Sequence, residues 1–445
     1  MRKTRVVRPD YEQRFRCIGP LCEDTCCEGW QVNVDPSTYR KYKALPASPL
    51  RARLDEYIVP VDQIVPSASP MDTARPVPFH SGSESSPACS LTALPASVAE
   101  LQAPVSANIR LLPAARCPFL AESRLCQIQS ELGESYLSDT CSTFPRRSYT
   151  IDKIEEKTLS LSCPEAARLV LLAPRFTTDE STYHITWEDS PTARLPLRSF
   201  FWPIREFAIH LIRDRKYPLW QRMFLLGVFA SRLDALARGK LDRDFAILLD
   251  DFARAVQTGT LRVSMETIPA NPSLQLEMVL RLVKLGIRPA FRGQRFNECL
   301  RAFALGVGHQ PGVPLESQAA NYSRAFREVY EPFFARHPEI LENYLANQLF
   351  RDLFPFGNAL MNPSAQPEPA KAFAHLATQF ALINGLLIGS AGFHRDSFSL
   401  AHVVQIVQTA YKHFEHCPEF LVEAQSTLAG LGLQNIPGLT ALVRN

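Results

Sequence analysis

Four of the chain's eleven cysteines fall within eleven positions, Cys17, Cys22, Cys26 and Cys27, inside the run Phe-Arg-Cys-Ile-Gly-Pro-Leu-Cys-Glu-Asp-Thr-Cys-Cys-Glu-Gly-Trp at 15–30. The spacing C-x4-C-x3-C-C is denser than packing of small apolar side chains requires. Four further cysteines follow at intervals, Cys117, Cys126, Cys141 and Cys163. Proline directly after Cys117 and Cys163 fixes the backbone beside each thiol, as a pre-shaped ligand loop would need. Thiolates bind Zn²⁺ tetrahedrally or hold iron–sulfur clusters, and either takes four ligands per site. Eight thiols exceed one mononuclear site. The vicinal pair Cys26-Cys27 suits a multi-iron cluster or two neighbouring sites better than one small ion, because adjacent side chains diverge. On the residues alone, iron and zinc stand about even.

Compartment decides how such thiols are read. The start Met-Arg-Lys-Thr-Arg-Val-Val-Arg-Pro-Asp is basic but has no apolar stretch of the signal-peptide kind, and no run of 18 apolar residues is found. A cytoplasmic chain without a membrane span is expected, and in a reducing cytosol clustered thiols are ligands or reactive groups more often than disulfides. A net charge of +3 over 445 residues argues against a nucleic-acid partner. Nine of the eleven cysteines precede residue 164. The two later ones, Cys299 and Cys417, stand alone and read as small buried hydrophobes.

The elements that would position the thiols can be laid out in order. Trp30 to Asp35 alternates as a short strand, and Asp35-Pro36 then starts a helix with Asp35 as its cap. Between 59 and 108 eight prolines and the run Ser-Gly-Ser-Glu-Ser-Ser point to a Pro/Ser-rich disordered insertion, with Cys89 a bystander inside it. Residues 125–137 carry a helical stripe interrupted by Gly133. Residues 147–152 and 157–163 alternate as a β-hairpin turning through Lys153-Ile154-Glu155-Glu156, which would deliver Cys163 to the start of a helix at Pro164. Free N–H groups at that helix start would stabilise a thiolate. From 195 onward the pattern is helical, over 197–214, 218–238, 242–257, 273–286, 292–306, 317–334, 338–352, 369–388, 396–415 and 418–431. Gly239, Gly259, Gly286 and Gly432 mark helix ends. The predicted fold is α+β and mainly α: a cysteine-rich metal-binding module over 1–58 and 109–190, the insertion at 59–108, and an all-helical domain over 195–445.

Several separated motifs together resemble one family. They are Tyr11-x3-Phe15-x-Cys17-Ile18-Gly19-x2-Cys22-Glu23-Asp24-Thr25-Cys26-Cys27-x-Gly29-Trp30, then Cys117-Pro118-Phe119-Leu120, Leu125-Cys126-x-Ile128-Gln129-x2-Leu132-Gly133-Glu134, Leu137-Ser138-x-Thr140-Cys141-x2-Phe144-Pro145-Arg146 and Leu161-Ser162-Cys163-Pro164-Glu165-Ala166-Ala167-Arg168-Leu169. Leu341-Glu342-Asn343-Tyr344-Leu345-x-Asn347, Phe354-Pro355 and Glu415-His416 extend the likeness into the helical half. In this order they resemble the flagellin lysine-N-methylase family, and the cysteine pattern also resembles a wider group of small zinc- or iron-chelating proteins. The resemblance implies an S-adenosylmethionine-dependent enzyme with a [4Fe-4S] cluster that methylates surface lysines of flagellin. The insertion at 59–108 is longer than the family pattern. All eight clustered cysteines are the candidate ligands, with zinc the alternative to iron.

Methyl transfer to lysine requires a neutral amine, since an ammonium has no lone pair to attack with. Glu23, Asp24 and Glu28 beside the cysteines, and Trp30 and Tyr39 as aromatic faces for a cation, are weak candidates for such work. Each reads more simply as a solvated loop charge or a core ring. Asn343 and Asn347 share a helix face and read as buried hydrogen-bonding groups, as does His416. For the donor there is no strand–glycine–helix phosphate loop, and Gly306-Val307-Gly308 follows a helix instead. Two placements stay open: on an incompletely ligated iron of the cluster, or in a pocket between the cysteine module and the helices. A non-enzymatic zinc or iron–sulfur scaffold or redox sensor is the rival reading.

Overall fold

The computed structural model describes residues 5–61, 106–178, 197–239, 245–286, 293–362, 364–415 and 418–445. The interior of the segment expected to be an insertion, with Cys89, lies outside them, as do His416 and Cys417.

The first part of the chain mixes short strands and helices: β1 (Arg5–Val7), α1 (Asp10–Arg14), β2 (Asn33–Val34), α2 (Pro36–Lys43), α3 (Pro49–Tyr57), β3 (Ile58–Pro60), β4 (Ala107–Ile109), α4 (Gln127–Leu132), α5 (Asp139–Thr143), β5 (Arg146–Ile151), β6 (Ile154–Leu159) and α6 (Pro164–Leu171). Asp35 caps α2 as expected, its Oδ1 accepting from Thr38 N–H at 2.9 Å, while its Oδ2 accepts from Asp139 N–H at 3.1 Å and so ties α2 to α5. β1 runs parallel to β6, and β5 pairs antiparallel on its other side. The β5–β6 hairpin turns at Asp152-Lys153, both with positive φ, in a two-residue loop matched to strand twist. The turn thus precedes the predicted one, and Ile154, Glu155 and Glu156 are strand. A second sheet has the order β2-β4-β3, antiparallel throughout. Pro60 faces Ala107 in it, so the chain leaves for residues 62–105 and returns at paired positions of one sheet.

The rest is helical: α7 (Phe201–Arg213), α8 (Leu219–Ala237), α9 (Phe245–Thr258), α10 (Arg262–Glu266), α11 (Pro272–Gly286), α12 (Gln294–Val307), α13 (Leu315–Ala325), α14 (Glu331–Arg336), α15 (Glu339–Arg351), α16 (Pro369–His394), α17 (Leu400–Phe414), α18 (Pro418–Gly430) and α19 (Ile436–Ala441). The mainly α expectation holds. The predicted helix at 317–334 is α13 and α14 joined by a π turn over Phe326–Tyr330. Pro332 has no N–H to offer the carbonyl four residues back, which loosens the helix there.

α16 is the axis of this part, packed by α8, α11, α12 and α13 and closed by α17, α18 and α19. The stretch Pro369–Ser397 is long and apolar enough to cross a membrane by length and composition, which differs from the expectation that no such segment exists; 83% of its most apolar window is buried inside the protein. It is the core helix. Gly306 and Gly389 make the α12–α16 crossing: a Cβ on Gly306 would meet the Gly389 carbonyl oxygen at 1.8 Å. Gly308, at φ +68°, ends α12 as a left-handed cap. Neither glycine belongs to a phosphate loop.

The buried apolar residues form two cores. The large one joins β1, α1, β5, β6 and α6 to the helices, and it includes Cys163. The small one has eleven buried members among the described residues, from Val32 to Ile128, and includes Cys117; Cys27, Trp30 and Cys126 pack against it.

Candidate functional site

The eight thiols gather along the seam between these cores. Segments 27–29 and 115–117 run side by side, with Cys117 N–H donating to Cys27 O at 2.7 Å and Gly29 N–H to Ala115 O at 3.0 Å. A turn at 117–120 and the bond from Gln127 N–H to Phe119 O at 2.8 Å then carry the chain to Cys126, the residue that precedes α4. Cys141 lies on α5, whose first turn Ser138 caps. Cys163 precedes α6 in the same way that Cys126 precedes α4. In both, backbone N–H groups of the helix start reach the sulfur: Gln129 and Ile128 for Cys126, Ala166 and Glu165 for Cys163.

Cys27 is the electrostatic centre. Hydrogen bonds donated by the Cys117 and Cys26 thiols, with Thr25 and the charge of Lys412 adding to them, pull its thiol down to about 3. Cys117 and Cys26 are pushed up as the donors of those bonds. Cys141 is an exposed residue, but desolvation of its thiol by the surrounding groups pushes it up to about 12, and the Cys27 and Cys126 thiols add to this. At the other end of the patch, Cys163 is raised by burial to about 12 and feels Cys22 and Cys17. The helix N–H groups at Cys163 favour a thiolate as expected, but burial outweighs them. Cys26 feels both Cys141 and Cys163 and so joins the two ends. All nine described cysteines are free thiols, and Cys299, alone in the helical core, is buried as expected.

Among the described residues no three Cys, His, Asp or Glu side chains converge closely enough to hold a metal ion, so a formed metal-binding module is not seen. The donor set is nevertheless of the right chemistry. Four thiols, Cys26, Cys117, Cys126 and Cys141, each lie within electrostatic reach of Cys27, which already favours the thiolate, and none of the five is spent on a disulfide.

Among the charged neighbours, Asp24 is not a solvated loop charge, whereas Glu28 is 44% exposed. Asp24 is largely buried, and its carboxylate forms an ion pair with Lys412 Nζ at 2.5 Å and accepts from Gln408 Nε2 at 2.8 Å. Lys412 Nζ also donates to Thr25 O at 2.9 Å, and Gln408 Nε2 to Ser162 O at 3.0 Å. Together α17 grips the loop that carries Cys26 and the segment that carries Cys163. Glu23 pairs with Arg168, which also pairs with Glu165, and Glu28 faces Arg116 at 3.9 Å. Trp30 donates from Nε1 to Cys26 O at 2.6 Å and packs on Phe144 with ring centroids 5.3 Å apart. Tyr39 packs against the small core, with Lys43 Nζ 5.4 Å from its ring centroid.

Lys412 and Gln408 escaped sequence reasoning. Their signal was two polar residues four apart on an amphipathic helix, followed one turn later by Glu415. That carboxylate is buried too, paired with Arg147 at 2.8 Å and Arg351 at 3.1 Å, and accepts from Ser160. Asn343 and Asn347 do hold buried bonds: Asn343 Nδ2 donates to Ala173 O at 2.7 Å, and Asn347 Oδ1 accepts from the Tyr11 hydroxyl.

Comparison with known proteins bears on this arrangement. The sequence profile of the FliB lysine N-methylase C-terminal domain matches residues 205–442. The lysine-N-methylase of Salmonella typhimurium is 22% identical over 432 residues, covering 94% of each chain, and that of Salmonella choleraesuis is equally similar. The flagellar biosynthetic protein FliU of Salmonella muenchen is 29% identical over 174 residues, 39% of this chain and 81% of its own length. No solved structure matches. With more than half its length under the family profile and nearly all of it aligned with lysine-N-methylases, this chain belongs to the FliB lysine N-methylase family and is a protein-lysine N-methyltransferase.

Proposed function

We propose that this methyltransferase modifies lysine side chains of flagellin, takes the methyl group from S-adenosylmethionine and carries a cysteine-ligated [4Fe-4S] cluster. The observation that carries the substrate is the likeness to a flagellar biosynthetic protein alongside the near full-length likeness to lysine-N-methylases. Support for the cluster is the gathering of eight free thiols from 17–27 and 117–163 along one seam.

Cys26, Cys27, Cys117, Cys126 and Cys141 are the residues that would hold the cluster, with Cys17, Cys22 and Cys163 beside them. When bound, it would supply a covalent cross-link across the seam and a redox-active iron centre. The chain's own contribution is positional. Lys412 and Gln408 clamp Asp24, which fixes the loop before Cys26, and Trp30 holds the carbonyl of Cys26 itself. Asp24, with its carboxylate committed to Lys412 and Gln408, is a positioning residue and not a free base.

The transfer itself balances simply. A lysine ammonium, with an ordinary pKa of about 10.4, first gives its proton to a base or to water. The amine lone pair then forms the N–C bond as the methyl C–S bond breaks, and that pair of electrons stays on sulfur as the thioether of S-adenosylhomocysteine.

Protein purified without oxygen is expected to be brown with a broad visible band, where a zinc protein would be colourless. Incubated with flagellin and S-adenosylmethionine, it is expected to add methyl groups to lysines, read by peptide mass spectrometry. A cofactor-loaded protein that leaves flagellin lysines unmodified would overturn the substrate reading.

A further inference from the structure

At the end of α6 away from Cys163, the protein opens a cavity of about 620 Å³, within the roughly 300–1,000 Å³ of small-molecule sites. Its walls come from the segment after α6, the second half of α7 with the turn beyond it, α9, and the start of α15. Four permanent cations, Arg175, Arg213, Arg215 and Lys216, line it against three carboxylates, Asp214, Glu339 and Glu342.

The carboxylates are already engaged. Glu342, 7% exposed, accepts from Arg215 Nε and Nη2 at 2.8 Å each and from Arg222 Nη1 at 2.8 Å. Arg222 is buried behind the wall and adds a further cation. It also donates to Ile212 O and Tyr217 O at 2.7 Å each, and so covers a carbonyl at the negative end of α7. Asp214 accepts from the backbone N–H of Lys216 at 3.1 Å, and Glu339 lies 3.7 Å from His337 Nδ1. The cations are less committed. Among the described residues the side chains of Arg175, Arg213 and Lys216 make no hydrogen bond or ion pair, and Nη1 of Arg215, 54% exposed, takes no part in the bonds to Glu342. His210 on the same wall commits Nδ1 to Glu206 O at 3.0 Å and keeps Nε2 for a ligand. α15 begins at the cavity, and the free N–H groups of its first turn add positive potential.

Like charges on separate elements repel one another unless an ion of opposite sign lies between them. The same field turns away both partners of methyl transfer, a cationic sulfonium donor and a lysine ammonium. Guanidinium forks match carboxylate and phosphate oxygens instead. Cations drawn from two separate segments, at 175 and at 213–216, suit several anionic groups on one molecule better than a single small ion. We infer that this cavity binds a small anion carrying two or more negative charges on carboxylate or phosphate groups, held by the exposed Arg175 and Lys216 and by Arg215 on its Glu342–Arg222 base. The inference rests on charge and geometry and is independent of which donor supplies the methyl group. A bound anion ties the end of α6 to α7 and α15, next to the bond that Asn343 Nδ2 donates to Ala173 O at 2.7 Å.

The test uses the full chain with its cofactor loaded, titrated calorimetrically at a fixed ionic strength of about 0.15 M. Fructose bisphosphate and tricarballylate are the probes, and at least one should bind saturably at a single site. The tighter of the two tells whether the occupant carries phosphate or carboxylate groups. Arg175→Gln with Lys216→Gln should weaken that binding about tenfold or more, the loss of charge-assisted bonds, with iron content unchanged. Arg281→Gln with Arg301→Gln removes the same charge from exposed positions on α11 and α12 and should leave binding as it was. Should the cavity variant fail to fold, Arg213→Gln carries the same expectation. Absence of saturable binding by either probe, equal weakening by both pairs of substitutions, or undiminished binding in the cavity variant would overturn the inference. Binding of polyglutamate where neither small anion binds would overturn it too, and would point to an acidic protein surface as the occupant.

Discussion

The most consequential single contact at the thiol seam joins residues 388 positions apart, Asp24 and Lys412. Both are largely buried, and removing one partner strands a charge in a low-dielectric site, a loss of roughly 3–5 kcal/mol in such pairs. Lys412→Met should therefore destabilise the protein by about that amount, whereas Asp24→Asn with Lys412→Met should recover most of it. A double-mutant cycle by chemical denaturation measures this, and equal losses in single and double variants would contradict it. The clustering of the thiols was legible from sequence because eight cysteines grouped in this way, if the compartment is the reducing one expected from the sequence, point to ligand chemistry ahead of disulfides or simple packing. Lys412 and Gln408 were not, since a polar pair on an amphipathic helix looks the same whether it meets water or Asp24. Asp24 was misread for the same reason: sequence shows a charge but not its partner.

At the scale of elements, most helices follow directly from apolar periodicity and from punctuation such as Gly239 and Gly259, which take positive φ just after α8 and α9. What was missed is short or interrupted. α10 and α19 have five and six residues, too few for a period to show. α16 runs six residues past its predicted end because Gly389 and Gly392 look like breaks in sequence, although they serve close helix contact. α16 also carries a titrating group. Burial, helped by Lys371 one turn earlier and opposed by Glu368, pulls His375 down to about 4, against about 6.5 in an unfolded chain. The unfolded state therefore binds the proton first. The stabilisation from neutral His375 is full above pH 6.5 and is lost as pH falls from there through about 4, amounting to about 3 kcal/mol. Melting temperature should fall across that window, and His375→Gln should flatten the fall; an unchanged pH slope in the variant would refute the assignment.

For the molecule as a whole, the two cores differ in size and share the thiol seam. The small core has eleven buried members among the described residues, so a thiol-bound group spanning Cys27, Cys117 and Cys141 would carry much of its stability. Stripping that group with a chelator should release amide protons in 30–60 and 107–137 well before those of α8, α12 and α16, as read by hydrogen exchange. Simultaneous loss of protection in both regions would show instead that the cores unfold as one.

The burial of α16 also orders events on the ribosome. The helices that line it, α8, α11, α12 and α13, are all translated before it, while α17, α18 and α19 come after. When this apolar rod leaves the exit tunnel the four helices it packs against have already been synthesised, so its partners are at hand before a membrane-insertion apparatus would take it for a span. The last three helices, made after it, complete its burial.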